Sequence, residues 1–194
     1  SVQHGNSTPS WVKTTLENWY AGTTLKNNNL VADQIFCNDR SATNSSSGTP
    51  GEISGIMSTS TTYYYGAYAR LVKNKKPKLT CTTASDKFTV NTSNGNATLT
   101  YPVGLITADE LSMAGGVYGT SNSSYYLYTN QFYWLGSPYY SLSRGYAYGF
   151  NVNSLGGLEY SSLYGDIGAR PVVSLSSKAK LSGSGTYNDV YTVS

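Results

Sequence analysis

"YWLGSPYYSLSRGYAYGFNV" runs from Tyr133 to Val152. Its ends read as strand, with Trp134, Phe150 and Val152 fit for a core. Its middle is Tyr, Ser, Gly, Leu, Ala and one Arg, without an acid or a lysine. Tyr146, Tyr148, Phe150 and Val152 alternate, so an unbroken strand sends all four to one face. If Phe150 is core, Tyr146 and Tyr148 follow it inward unless Gly149 marks a β-bulge. "YWLGSP" and "FNV" therefore read as scaffold. "YYSLSRGYAY" reads as the part that faces a partner.

The whole chain supports that division. It has 194 residues, enough for one domain over 1–194 with its own core. Hydrophobic residues make up 39% and charged residues only 12%, and the difference is filled by Ser, Thr, Asn and Gly. That filler suits a β-rich secreted or surface protein, with Thr and Tyr in strands and Asn, Gly and Ser in turns. A net charge of +3 is too mild to point to nucleic acid. Of the 19 tyrosines, 11 lie between Tyr118 and Tyr164, so the enrichment is local. Cys37 and Cys81 are either one disulfide, which implies an oxidising compartment, or two buried thiols. No apolar run reaches the length of a membrane span.

Along the chain, "NSTPSWVKTTLENWYAGTT" predicts a helix with Thr8 as N-cap, Pro9 at its first position and Gly22 beyond its end. Trp11, Val12, Leu16, Trp19 and Tyr20 would form its apolar face. A short buried segment is expected around Val31, Ile35 and Phe36, then a long loop over 41–62. "YYYGAYARLV" fits a strand or a short helix, and "KNKKPK" a solvated turn. "KFTV" and "ATLTYPVGLIT" predict strands, with Asn94-Gly95 as a hairpin signal. Thr107 and Glu110 form a capping box before a helix closed by Gly115-Gly116. "SSYYLYT", "QFYWLGS", "GYAYGFNVN", "GGLEYSSLY" and "ARPVVSL" predict short strands, and 176–194 a hairpin-like tail. The fold class expected is α+β with an antiparallel sheet.

Little catalytic chemistry is written here. His4 is the only histidine, which argues against a Ser-His-Asp triad or a multi-histidine zinc site. Ser10–Lys13 and Ser177–Lys180 have the Ser-x-x-Lys spacing, but the further motifs of penicillin-binding enzymes are missing. Glu159 and Asp166 could serve as the paired carboxylates of a glycosidase. Asp33, Asp39, Asp109 and Glu110 match no EF-hand loop, and Asp39-Arg40 reads as an ion pair. Asn6, Asn44, Asn91, Asn96 and Asn122 begin Asn-x-Ser/Thr triplets, weak signals in a chain so rich in both. No cofactor, metal or catalytic residue is expected.

"LITADELSMAGG", "YWLGSP…FNVNSLGGL" and "GARPVVSL", followed by "LSGSGTYNDVYTV" and joined by "IFCNDRS", carry a family resemblance over most of the chain. Together they resemble the C-terminal domain of surface proteins of gut-type Gram-positive bacteria and their phages. That domain is similar to the C-type-lectin-like fold of formylglycine-generating enzymes and to the variable proteins of diversity-generating retroelements. The resemblance implies two helices on a small twisted antiparallel sheet with long loops. Strands near "YWLGSP" and "ARPVVSL" would be central. Trp134, Phe150, Val152, Val172, Val173 and Leu175 would be core, and Arg170 would be buried against carbonyls or an acid. It carries no activity. The enzymes need a C-terminal cysteine pair, and no cysteine follows Cys81. The calcium-site motifs of lectins are also missing.

In retroelement variable proteins, adenines in asparagine codons are randomised, which yields Tyr, Ser, Gly, Asp, Leu, Arg, Ile and Ala but not Lys or Glu. Tyr139–Tyr148 and Tyr160–Ile167 contain only reachable residues. A diversified surface and a fixed one both remain open. Tyr, Ser and Gly are also the residues of binding loops, giving rigid contact area and adaptable hydrogen bonds. The expected ligand-binding surface is Tyr139, Tyr140, Ser141, Leu142, Ser143, Arg144, Tyr146, Tyr148, Tyr160, Ser161, Ser162, Tyr164 and Asp166. The function expected is extracellular or cell-surface recognition of a protein or glycan on another cell, host or phage. The chain would be part of a larger surface or pilus-like protein, with no nucleic acid and no membrane insertion. The alternatives are a carbohydrate-active enzyme using Glu159 and Asp166, and a structural module of a pilus or fibre.

Overall fold

The computed structural model describes residues 3, 9–27, 29–53, 58, 60–186 and 188–194. His4, Asn6 and the expected cap Thr8 lie outside them. Helix α1 (Trp11–Ala21) is capped by Ser10, whose hydroxyl accepts from the Lys13 amide. Pro9 thus stands before the cap, not inside the helix. Leu16 and Tyr20, one turn apart, are buried, and Tyr20 stacks on Tyr101 at 5.2 Å. The helix lies at the periphery and buries only this stripe, against Val103 and its neighbours. Trp11 and Trp19 are left exposed, contrary to the expected five-residue face.

Short strands follow: β1 (Val31–Ala32), β2 (Phe36–Cys37), β3 (Ala42–Thr43) and β4 (Tyr63–Tyr65). Ile35 is exposed rather than core. "YYYGAYARLV" holds both expected forms, because β4 runs directly into α2 (Gly66–Tyr68) and a π-helical turn, Ala69–Lys73. Strand β5 (Lys87–Phe88) pairs with β2. Asn94-Gly95 lies in a turn, but no second strand follows it. "ATLTYPVGLIT" contributes isolated bonds instead, a reciprocal Gly104–Val172 pair and the Ile106 carbonyl that takes the Gly136 amide. Helix α3 (Ala108–Ala114) has the full Thr107–Glu110 capping box and ends at Gly115, φ 120°. "SSYYLYT" forms turns, not a strand.

The main sheet uses β6 (Tyr133–Ser141), β7 (Ala147–Val152) and β8 (Leu158–Ser162), in the order β3-β4-β6-β7-β8. It is antiparallel except for β9 (Gly168–Ala169), which pairs in parallel with the start of β6 while β4 pairs with its end. Strand β10 (Ser174–Leu175) joins only β1, and β11 (Leu181–Ser182) with β12 (Thr192–Val193) forms the expected tail hairpin. "YWLGSP" is therefore central, but "ARPVVSL" is peripheral. Leu175 is exposed and Val172 and Val173 are half-buried, so they are not the core the resemblance implied. Trp134, Phe150 and Val152 are core. Arg170 donates to the Leu127 carbonyl at 2.7 Å and lies over the Tyr133 ring. The architecture is α+β with three short helices and mostly antiparallel sheets.

Two devices pin the irregular segments. Cys37 and Cys81 form a disulfide across 44 positions. Arg70 bridges two carboxylates, Asp109 through Nε and Nη2 at 2.8 Å each and Asp39 through Nη1 at 2.5 Å. Asp39 and Arg40 are adjacent in the chain, but their side chains take different partners. Arg40 pairs with Asp86 instead, at 2.7 Å, so the expected Asp39–Arg40 pair is not formed. Burial alone would raise the Asp39 pKa. The hydrogen bonds from Ser41 and Arg70, with the Arg70 charge, outweigh it and hold the carboxyl below its ordinary value.

Replacing both cysteines by serine is expected to cost about 4 kcal/mol on the loop-entropy account. In a chain of this size that lowers Tm by roughly 8–16 °C, readable by calorimetry against the oxidised protein.

Candidate functional site

The tyrosine surface is made by one irregularity. Between Pro138↔Gly149 and Tyr140↔Tyr148, β6 advances two residues while β7 advances one. The extra residue is Tyr139. A bulge of this kind lets consecutive side chains share a side of the sheet. The Tyr139 and Tyr140 rings accordingly sit 4.8 Å apart. The sequence places a bulge at Gly149, whereas the inserted residue lies opposite, on β6.

Tyr139 is 4% exposed. It stacks on Tyr160 at 4.1 Å, meets Phe150 and Tyr68 edge-on, and shares a 2.8 Å hydrogen bond with the Tyr118 hydroxyl. It was expected at the surface, and it is the buried support of that surface. Over it, the strand register aligns Tyr64, Tyr140, Tyr148 and Ser162 across β4, β6, β7 and β8. Tyr140 packs on Tyr148 at 4.7 Å and on Tyr160 at 5.5 Å, and Tyr64 extends the cluster at 6.0 Å. Tyr140 and Tyr148 are half-buried and Tyr160 is partly open.

Ser141 and Ser161 belong to the other face, which corrects their expected place. Ser141 pairs with Tyr63 and Ala147. Ser161 accepts from Asn151 Nδ2 at 2.7 Å. Glu159 is opposite Asn151 and so shares that side too, while Tyr160 points to the tyrosine side. The two carboxylates of the enzymatic reading differ in setting. Glu159 is half-buried on β8, and Asp166 is exposed in the following turn. Among the described residues, no group of three or more His, Cys, Asp or Glu could hold a metal.

One end of the sheet forms a rim. The β6–β7 turn is held by the Leu142 amide on the Tyr146 carbonyl at 2.7 Å, with Leu142 and Ser143 half-exposed below its tip. Arg144 and Gly145 take left-handed backbone, φ 82° and 84°. Glycine accepts that conformation freely, but an arginine does not. Arg144 is exposed, and no other basic residue occurs between Lys87 and Arg170. Beside it, Tyr146 and Tyr164 meet edge to face at 6.4 Å, 50% and 80% exposed. Sequence reasoning missed Tyr64, Tyr68, Tyr118 and Lys73, which lies 5.7 Å from the Tyr68 ring centre. The density of "YYYGAY" was the available signal.

Burial, then the neighbouring hydroxyls, push Tyr139 upward, and burial with the Tyr160 interaction pushes Tyr140 up to about 12. Both stay neutral at ordinary pH and offer hydroxyls, not charge. No model of a known protein family matches this chain, and no curated protein or solved structure does either.

Tyr139→Ala is expected to cost roughly 3–5 kcal/mol, as for other large aromatic deletions. Tyr139→Phe should cost about 1 kcal/mol, for the Tyr118 bond alone. Because the Tyr140 pKa is raised in the folded chain, its contribution is whole below pH 10 and is lost as pH rises from 10 through about 12. Tm followed over that range should fall less steeply in Tyr140→Phe.

Proposed function

We propose that this chain is an extracellular, non-enzymatic recognition domain of C-type-lectin-like type, displayed by a larger surface or pilus-like protein. Its ligand is a protein or glycan on another cell, host or phage. The observation that carries the reading is Arg144, exposed at a hairpin tip in a backbone conformation that favours glycine, beside two open tyrosines. Strain held at an exposed tip calls for a use of the side chain that holds it. Arginine and tyrosine are the residues most often energetically decisive in interfaces.

The binding surface in this reading is the rim, Leu142–Tyr146 with Tyr164 and Asp166, continued by Tyr140, Tyr148, Tyr160 and Ser162. Tyr139 supports it from below. Rigid rings packed on one another lose little freedom on binding, which favours affinity. The disulfide supports an oxidising location, and among the described residues no helix is long and apolar enough to cross a membrane. Retroelement diversification fits the rim, whose turns tolerate change while β6 and β7 hold the frame.

The test is a glycan array and a panel of surface proteins, with every hit assayed for turnover. Arg144→Gly is expected to bind a hit ~tenfold or more weakly while its Tm stays equal or rises, because the left-handed strain is relieved. Tyr164→Ala should weaken binding with a stability change within about 0.5 kcal/mol. Turnover of the ligand, abolished by Glu159→Gln, would overturn the binding reading in favour of an enzyme.

A further inference from the structure

On the Gly149 side of the sheet, an open groove of ≈ 790 Å³ lies between the N-terminal half of α1 and the β6–β7 pair. That volume is within the usual range of small-molecule sites. Trp134 and Gly149 line it from the sheet, Leu16, Phe36 and Leu99 from its walls, and the exposed Leu163 from its edge. Such a lining takes an apolar body.

Polar groups also line it, among them Lys13, Asn38 and Arg40. Asn38 and Arg40 both line the groove, while Asp39 between them pairs with Arg70. The Asn38 Oδ1 is buried and has no hydrogen-bond partner, a costly state that a ligand donor would relieve. Lys13 and Arg40 also line the groove, and no carboxylate does among the described lining residues. Each cation is held from behind by an acid, Lys13 by Glu17 at 2.9 Å and Arg40 by Asp86 at 2.7 Å. They are thus held in position at the groove wall.

We propose that this groove binds an amphipathic acid, an acyl chain whose head carries a hydrogen-bond donor beside a carboxylate. N-acyl amino acids have that chemistry. The chain lies along Trp134 and Leu99, the amide N–H donates to Asn38 Oδ1, and the carboxylate sits near Lys13 and Arg40. The site is independent of the tyrosine surface and of any ligand bound there.

The probe is N-dodecanoylglycine below its micellar concentration, titrated by calorimetry and by Trp134 fluorescence against the intact chain. Saturable binding at one per chain is expected, ~tenfold weaker or more for the uncharged methyl ester. Dodecanoate, which keeps the charge but lacks the amide donor, should also bind more weakly. Leu163→Glu, at an exposed position on the groove, should weaken N-dodecanoylglycine several-fold and spare the methyl ester. Arg144→Ala should leave the affinity for N-dodecanoylglycine unchanged. Absence of saturable binding, equal affinity for acid and ester, or loss through Arg144→Ala would each overturn the proposal.

Discussion

The extra residue in β6 sets the rest of the site. Two residues of β6 stand against one of β7 at Tyr139, so Tyr140 stays on the same side as Tyr139. With regular pairing carried on from Pro138↔Gly149, Tyr139 would face Tyr148 and Tyr140 would fall on the Gly149 side, away from Tyr148 and Tyr160. With the bulge, Tyr139 reaches Phe150, Tyr68, Tyr118 and Tyr160 at once. It joins α2, β7 and β8 into one packed cluster. A hydroxyl there would be a liability if unpaired, and the Tyr118 hydroxyl answers it.

A chain with this little charge places its buried ions with care. Arg70 joins the turn after α2 to α3 through Asp109 and to the 39–41 segment through Asp39. Arg40 reaches Asp86 beside β5, and the disulfide ties β2 to the segment before it. These contacts lie where strands are two residues long and cannot supply many ladder hydrogen bonds. Removing one partner of such a buried pair leaves an uncompensated charge, so the loops are locked by specific chemistry where backbone pairing is scarce.

What the sequence revealed followed from how local each signal is. The Thr107–Glu110 box and the tail hairpin could be read because their partners are neighbours in the chain. The strands "QFYWLGS", "GYAYGFNVN" and "GGLEYSSLY" could be read from alternation between turns. Trp11 and Trp19 misled because helical periodicity marks an apolar face but not how much of it has a neighbour to meet. Asp39-Arg40 misled because each side chain found a partner distant in sequence, Arg70 for Asp39 and Asp86 for Arg40. Asn94-Gly95 made its turn, but a ladder needs a partner strand, and the residues after it bond to Val172 and Gly136 instead. For the site, "YYSLSRGYAY" forms the β6–β7 turn and its flanks, with Arg144 and Tyr146 exposed. Its interior member was missed, because a bulge is a property of two strands together and one strand's pattern cannot locate it.

The tyrosines thus divide by role along a few residues of chain. Tyr139 is closed off, Tyr140 and Tyr148 are half-covered by each other and by Tyr64, and Tyr146 and Tyr164 stand open. The gradient follows the strands from the packed centre to the turn, where Arg144 and Gly145 reverse the chain in left-handed conformation. Substitution at the centre disturbs many rings, whereas substitution at the tip disturbs one. In the recognition role proposed above, that order would let side chains at the turn change while the aromatics rooted in the sheet hold the fold. The same order explains why one residue type serves both ends: the ring provides packing where it is buried, and ring and hydroxyl provide contact where it is not.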